Sequence, residues 1–137
     1  MNLTPKTMEY LNIVLLLLFH FIADFIYQTD EMTKNKSTSN KWLLKHTLTY
    51  TGVISIYLYA MTLVETFTGG VISDIFTNTL LFASITLVAH TLTDYVTSRV
   101  SSYFYKENKI HEFFVVIGLD QWLHALQIIV TYYLIFI

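Results

Sequence analysis

Apolar residues gather into four long runs, each bounded by a short polar segment. The runs occupy about residues 5–29, 41–67, 74–102 and 110–136. None alternates polar with apolar at a period of two, and each reaches the roughly 20 residues an α-helix needs to cross a bilayer. Lipid leaves the backbone only helices or closed barrels, so the runs predict helices. Pro5 suits a first helical turn, and Ser39 or Asn40 can cap the second helix. Gly69-Gly70 is the expected stop of the second helix, and Asp74 the expected cap of the third. The expected fold is all-α: a polytopic membrane protein, one four-transmembrane-helix bundle over residues 1–137, built as two hairpins.

Composition supports this. Apolar residues make up 54% of the chain and charged residues 13%, about half the usual charged fraction of a soluble domain. A chain of 137 residues cannot bury that much apolar surface by itself. The run from Leu11 to Tyr27 is interrupted by His20 and Asp24 and lacks a small-residue cleavage site, so it reads as a span rather than a leader. Cysteine is absent, which removes disulfides, thiolate ligands and cysteine nucleophiles. A net charge of −2 without a basic stripe gives no reason to expect nucleic acid.

Charge along the connections predicts orientation. Lys34, Lys36, Lys41, Lys45, Arg99, Lys106 and Lys109 cluster around the loops after the first and third helices. The opposite side carries Lys6, with Glu65 and Asp74 in its loop. The positive-inside rule then places both termini outside and the basic loops in the cytoplasm, as expected for a bacterial cytoplasmic membrane.

The ionisable residues inside the apolar runs carry the chemistry. Helix one holds His20 and Asp24, helix two His46, helix three His90 and Asp94, and helix four Asp120 and His124. Three pairs sit at i, i+4, on one helical face. A charge in lipid is costly, about 2.5–3.5 kcal/mol for a central aspartate on insertion scales, so such groups face a partner or a cavity. Counted from the cytoplasmic ends at about 1.5 Å per residue, His46 and Asp94 lie roughly 7–8 Å deep and Asp24 about 9 Å. His20, His90 and Asp120 fall near 14–15 Å, and His124 near 20 Å, by the same rise.

Imidazole with carboxylate suits Zn²⁺, Mn²⁺ or Fe²⁺. All seven residues are candidate metal ligands, and seven could hold two ions. His46, Asp94 and Asp120 are the candidate catalytic groups. Gln28, Lys36, Lys45, Arg99 and Gln121 could bind substrate at the headgroup level, although the lysines also serve as topology signals. The simpler alternative is that His–Asp hydrogen bonds only hold the helices together. Tyr103 and Tyr105 read as aromatic belt, and Asp30 and Glu31 as solvated loop charges.

These motifs resemble a known family. His20-x3-Asp24-Phe25-x2-Gln28-Thr29-x2-Met32-x3-Lys36 and Leu43-Leu44-x-His46 are similar to the opening of the bacterial and phage membrane family called domain of unknown function 3307. His90-x3-Asp94-x4-Arg99 and Asp120-Gln121-x2-His124 are similar to its later blocks. The resemblance implies a small inner-membrane protein like those labelled membrane-bound metal-dependent hydrolases.

The expected function is a membrane-embedded, metal-dependent hydrolase acting on a lipid or amphiphile. Two other readings stay open: an ion or proton transporter using the same cluster, and a non-catalytic membrane partner protein. Membrane lipid is the expected partner, and a bundle this small could also form a homo-oligomer.

Overall fold

The computed structural model of the protein describes residues 5–67 and 74–137, giving only the backbone for residues 5, 6 and 65. The Gly69-Gly70 stop lies outside the described residues, as do the side chains of Lys6 and Glu65. Every regular element among them is helical. In chain order these are α1 (Pro5–Phe21), a π-helical turn (Ile22–Ile26), α2 (Asp30–Asn35), α3 (Asn40–Phe67), α4 (Ile75–Lys106) and α5 (Ile110–Phe136). Four of the helices are long and apolar enough to cross a membrane, with spans at Thr7–Ile26, Asn40–Val64, Ile75–Lys106 and Ile110–Phe136.

Two elements differ from the sequence reading, for local reasons. The first span does not run as an unbroken α-helix to residue 29. At Ile22 it widens into a π turn, closed by the Tyr27 N–H donating to the Ile22 carbonyl at 3.0 Å. The third helix runs to Lys106 rather than to 102, because nothing in Tyr103-Phe104-Tyr105 breaks it. Asn108, in the left-handed region at φ 57°, then turns the chain into α5.

The loop after the first span is partly ordered by α2. The Thr29 hydroxyl accepts from the Met32 N–H at 3.3 Å, an N-cap, and Met32 is buried. Asp74 does precede α4, but its backbone is left-handed (φ 68°) and its side chain makes no capping bond.

In the bundle α4 packs between α3 and α5, while α1 packs on α3 and touches α5. The backbones of the π turn and α2 pack on α3 and stand away from α4 and α5. That separation leaves a gap at one end of the bundle. The other end is filled by Leu16, Ile54, Leu58, Phe82 and Ile128, each 0% exposed. Phe19 stacks on Tyr57 at 4.1 Å between centroids. Ile56, Leu92, Trp122 and Leu134 point outward from α3, α4 and α5, as a lipid-facing surface would require.

Phe82→Ala removes a ring with no exposure in this core and should cost about 3–5 kcal/mol. Denaturant unfolding in micelles measures it, and a loss below about 1 kcal/mol would contradict this packing.

Candidate metal centre

The gap between the π turn with α2 and the facing helices is a cavity of about 790 Å³. Its floor is acidic: Asp24, Asp94 and Asp120 all line it. The α4 wall continues upward through Thr97 and Ser98, three and four residues after Asp94, then Ser101 and Tyr105 one and two turns further on, and so along one face. The α5 wall presents Phe113, Val116 and Ile117 at the same spacing. One wall therefore offers hydroxyls and the other an apolar surface.

Behind the carboxylates stand three fully buried histidines, His46, His90 and His124. Their Nε2 atoms turn toward the acids. His46 Nε2 lies 3.1 Å from Asp24 Oδ1, 3.0 Å from Asp94 Oδ2 and 3.2 Å from His90 Nε2. His124 Nε2 lies 3.1 Å from Asp94 Oδ1 and 3.3 Å from Asp120 Oδ1. One imidazole nitrogen carries either one hydrogen or one lone pair, so it cannot hydrogen-bond all of these neighbours. Asp24 Oδ1 indeed has no hydrogen-bond partner despite its closeness to His46. Such crowding of acceptor atoms is the arrangement that a shared cation resolves.

The donors fit a metal. Asp24, His46 and His90 offer ligand atoms within 4.8 Å of one another, as do His90, Asp94 and His124, and Asp24, Asp120 and His124. Each trio shares one residue with each of the others, so the six residues close into a ring. Nitrogen and carboxylate ligands at about 2.0–2.2 Å from one ion give separations of this size. Buried His and Asp groups could therefore hold a divalent cation.

The surroundings fix the ring's orientation. Gln121 Nε2 donates to Asp24 Oδ2 at 2.7 Å and to Asp120 Oδ2 at 3.2 Å. The Thr97 hydroxyl donates to Asp120 Oδ1. The Nδ1 atoms of His46, His90 and His124 have no hydrogen-bond partner among the described residues. Stacking orients two of these rings instead: Tyr50 lies 3.7 Å from His90 at 10°, and His90 lies 4.0 Å from His124. Lys36 reaches in from the end of α2, its Nζ donating to Asp94 Oδ2 at 3.0 Å and lying 3.4 Å from His46 Nε2.

Several expected roles change. His20 stands outside the ring. Gln121 must turn its Nε2 to the two acids, so its Oε1 faces His20 Nε2 at 3.1 Å, and that nitrogen donates. Neutral His20 then accepts from the Tyr50 hydroxyl at Nδ1, 2.8 Å away, and has no lone pair left for a metal. The π turn is the physical reason: it breaks the α-helical register between His20 and Asp24, so the two serve different partners.

Lys45 and Arg99 do not line the cavity. Lys45 is turned away from His46 by one helical step and lies over the Trp42 ring at 4.4 Å. Arg99 lies over Tyr95 at 3.7 Å and donates to Asn40 Oδ1 at 2.9 Å. Gln28, Lys36 and Gln121 do line the cavity, and Gln28 ties it to α2 by donating to Thr33 Oγ1 at 2.9 Å.

Tyr50, Thr97 and the α4 serines were missed. The i, i+3/i+4 spacing of hydroxyls above Asp94 was the available signal for Thr97, Ser98 and Ser101. Asp94 also lies deeper than the roughly 7–8 Å expected, a figure that counts from Arg99, because α4 runs on to Lys106. At 1.5 Å per residue Asp94 lies about 18 Å from that end, level with His124 on α5.

The chain belongs to the protein of unknown function (DUF3307) family, whose sequence profile matches residues 13–137. The match spans the π turn, α2 and every residue of the ring. No curated protein and no solved structure matches the chain.

Gln121→Ala removes the donor shared by two ring carboxylates and should weaken divalent-cation affinity by about 10–100-fold. Competition against a chelating dye reads this directly, and an unchanged affinity would detach Gln121 from the centre.

Proposed function

We propose that the protein is a membrane-embedded, metal-dependent hydrolase whose site opens to the cytoplasmic leaflet of a bacterial membrane. Its substrate is a lipid or other amphiphile carrying a phosphate or similar anionic group. The observation that supports this best is the ring of His and Asp ligand atoms at the floor of a two-faced cavity. A divalent cation there would polarise a substrate oxygen and favour formation of a hydroxide nucleophile near neutral pH.

The chain's own residues do the rest. Phe113, Val116 and Ile117 receive the apolar part of the substrate, and Ser98 and Ser101 hydrogen-bond its polar part. Lys36 supplies a positive charge on the same wall as Asp24. Asp94 faces the cavity with His46 and His124 behind it, and takes the proton of the attacking water. The expected cytoplasmic side follows from the basic loops at the cavity end, with both termini on the opposite side.

A second reading, an ion or proton carrier, draws on two observations. The π turn interrupts a spanning helix at the site, as broken helices do in carriers. Thr86, Gln127 and Thr131 add polar positions beyond the ring, with Gln127 Nε2 donating to both hydroxyls at 3.2 and 3.0 Å. Metal-dependent flux into proteoliposomes, without hydrolysis of any ester offered, would favour the carrier.

Asp94→Ala should lower hydrolysis of amphiphilic phosphate esters in micelles by at least about a hundredfold, more than loss of an outer-shell partner costs. Because Ala leaves the Lys36 ammonium unpaired, the double variant Lys36→Met/Asp94→Asn should show the same loss while eluting and melting as a folded protein, and turnover retained in both would end the hydrolase reading. Because the chain has no cysteine, single cysteines at Lys106 and Asp74 report orientation directly. An impermeant maleimide applied to the outside of cells should label the second and spare the first. The reverse pattern would invert the topology.

A further inference from the structure

The ring is not symmetric in charge, and Lys36 is what breaks the symmetry. This inference rests on the metal-dependent reading and narrows it. Lys36 Nζ touches Asp94 and His46, at 3.0 and 3.4 Å. One of these residues belongs to the His90–Asp94–His124 trio and the other to the Asp24–His46–His90 trio. The third trio, Asp24, Asp120 and His124, contains neither residue that Lys36 touches.

We propose that the site holds one divalent cation, ligated by Asp24, Asp120 and His124, and that the Lys36 ammonium stands where a second ion would sit.

Charge counting supports this division. Metal-bound histidine is neutral, so the ring contributes three negative charges from its three aspartates. A divalent ion neutralises Asp24 and Asp120, and Lys36 neutralises Asp94. A second divalent ion beside Lys36 would leave two uncompensated positive charges in an apolar bundle. The Asp24 and Asp120 carboxylates are also the two that Gln121 holds together. Asp24 is 3% exposed, lines the cavity, and keeps its Oδ1 without a hydrogen-bond partner, which marks its side of the ring for a cation; that oxygen lies 3.1 Å from His46 Nε2 and 3.9 Å from His90 Nε2. Asp94, in contrast, has the Lys36 ammonium and His46 on Oδ2, each at 3.0 Å.

The test is metal counting on the full chain in micelles, loaded with Mn²⁺ and desalted, by elemental mass spectrometry with electron paramagnetic resonance. The parent should carry one equivalent with the signal of an isolated ion. Asp120→Asn should lose it. The double variant Lys36→Met/Asp94→Asn removes the pair together without stranding a charge, and should keep one equivalent. Lys36→Met alone leaves Asp94 unpaired and should take up a second equivalent.

Two coupled ions in the parent would overturn the single-ion assignment. An ion lost from the double variant but kept in Asp120→Asn would move the site to the other side of the ring. A Lys36→Met protein that stays at one equivalent would remove Lys36 from its role while leaving the first ion in place. No manganese, zinc or iron in the parent would instead overturn the metal-dependent reading on which this rests.

Discussion

Three carboxylates meet at one end of an apolar helix bundle, and the arrangement of the other elements follows from accommodating their charge. Asp24, Asp94 and Asp120 come from the first, third and fourth spans, and His46 and Lys36 join them from α3 and α2. An uncompensated carboxylate in such surroundings would cost several kcal/mol. Their polar partners among the described residues are accordingly amide and hydroxyl donors, an ammonium and imidazole nitrogens. Removing one of them leaves a charge stranded, so the cluster is both the candidate metal centre and a point of structural fragility.

The local irregularities of the fold are the means of bringing those groups together. A regular helix would keep His20 and Asp24 on one face. The π turn separates them, giving Asp24 to the ring and His20 to Gln121 and Tyr50. Short α2 is held by the Thr29 cap and by buried Met32, which fixes where Lys36 leaves the chain. The same placement keeps α2 and the π turn away from α4 and α5, and the cavity is the space left between them. A polar α4 wall facing an apolar α5 wall makes that space suited to a molecule with two unlike sides. The opposite half of the bundle is packed with Leu16, Ile54, Phe82 and Ile128 and closes the interior beyond the site.

Much was already determined by the sequence. Four apolar runs of spanning length without period-two alternation predict an all-helical chain, because a bilayer would leave the backbone only helices or closed barrels and a barrel strand alternates. The ring residues Asp24, His46, His90, Asp94, Asp120 and His124 were recognisable as candidates, since ionisable groups inside apolar runs need a reason to be there. Helical spacing even placed two of the His–Asp pairs on common faces, with Nε2–carboxylate distances of 3.8 and 3.3 Å.

What only the tertiary structure decided was which of these groups meet. A one-dimensional pattern assumes a uniform helix, so it could not foresee the π turn that withdraws His20 or the continuation of α4 to Lys106 that puts Asp94 level with His124. Nor does it carry rotation about the bundle axis, and so it grouped Lys45 and Arg99 with Lys36. In the fold the first two lie over Trp42 and Tyr95, while Lys36 alone enters the cluster. Tyr50 gave no sign in the sequence, because a tyrosine in an apolar run is ordinary until a histidine ring is found stacked on it. Periodicity and burial cost are local properties and can be read along a chain. Convergence depends on how helices are rotated and offset against one another, and packing alone sets that.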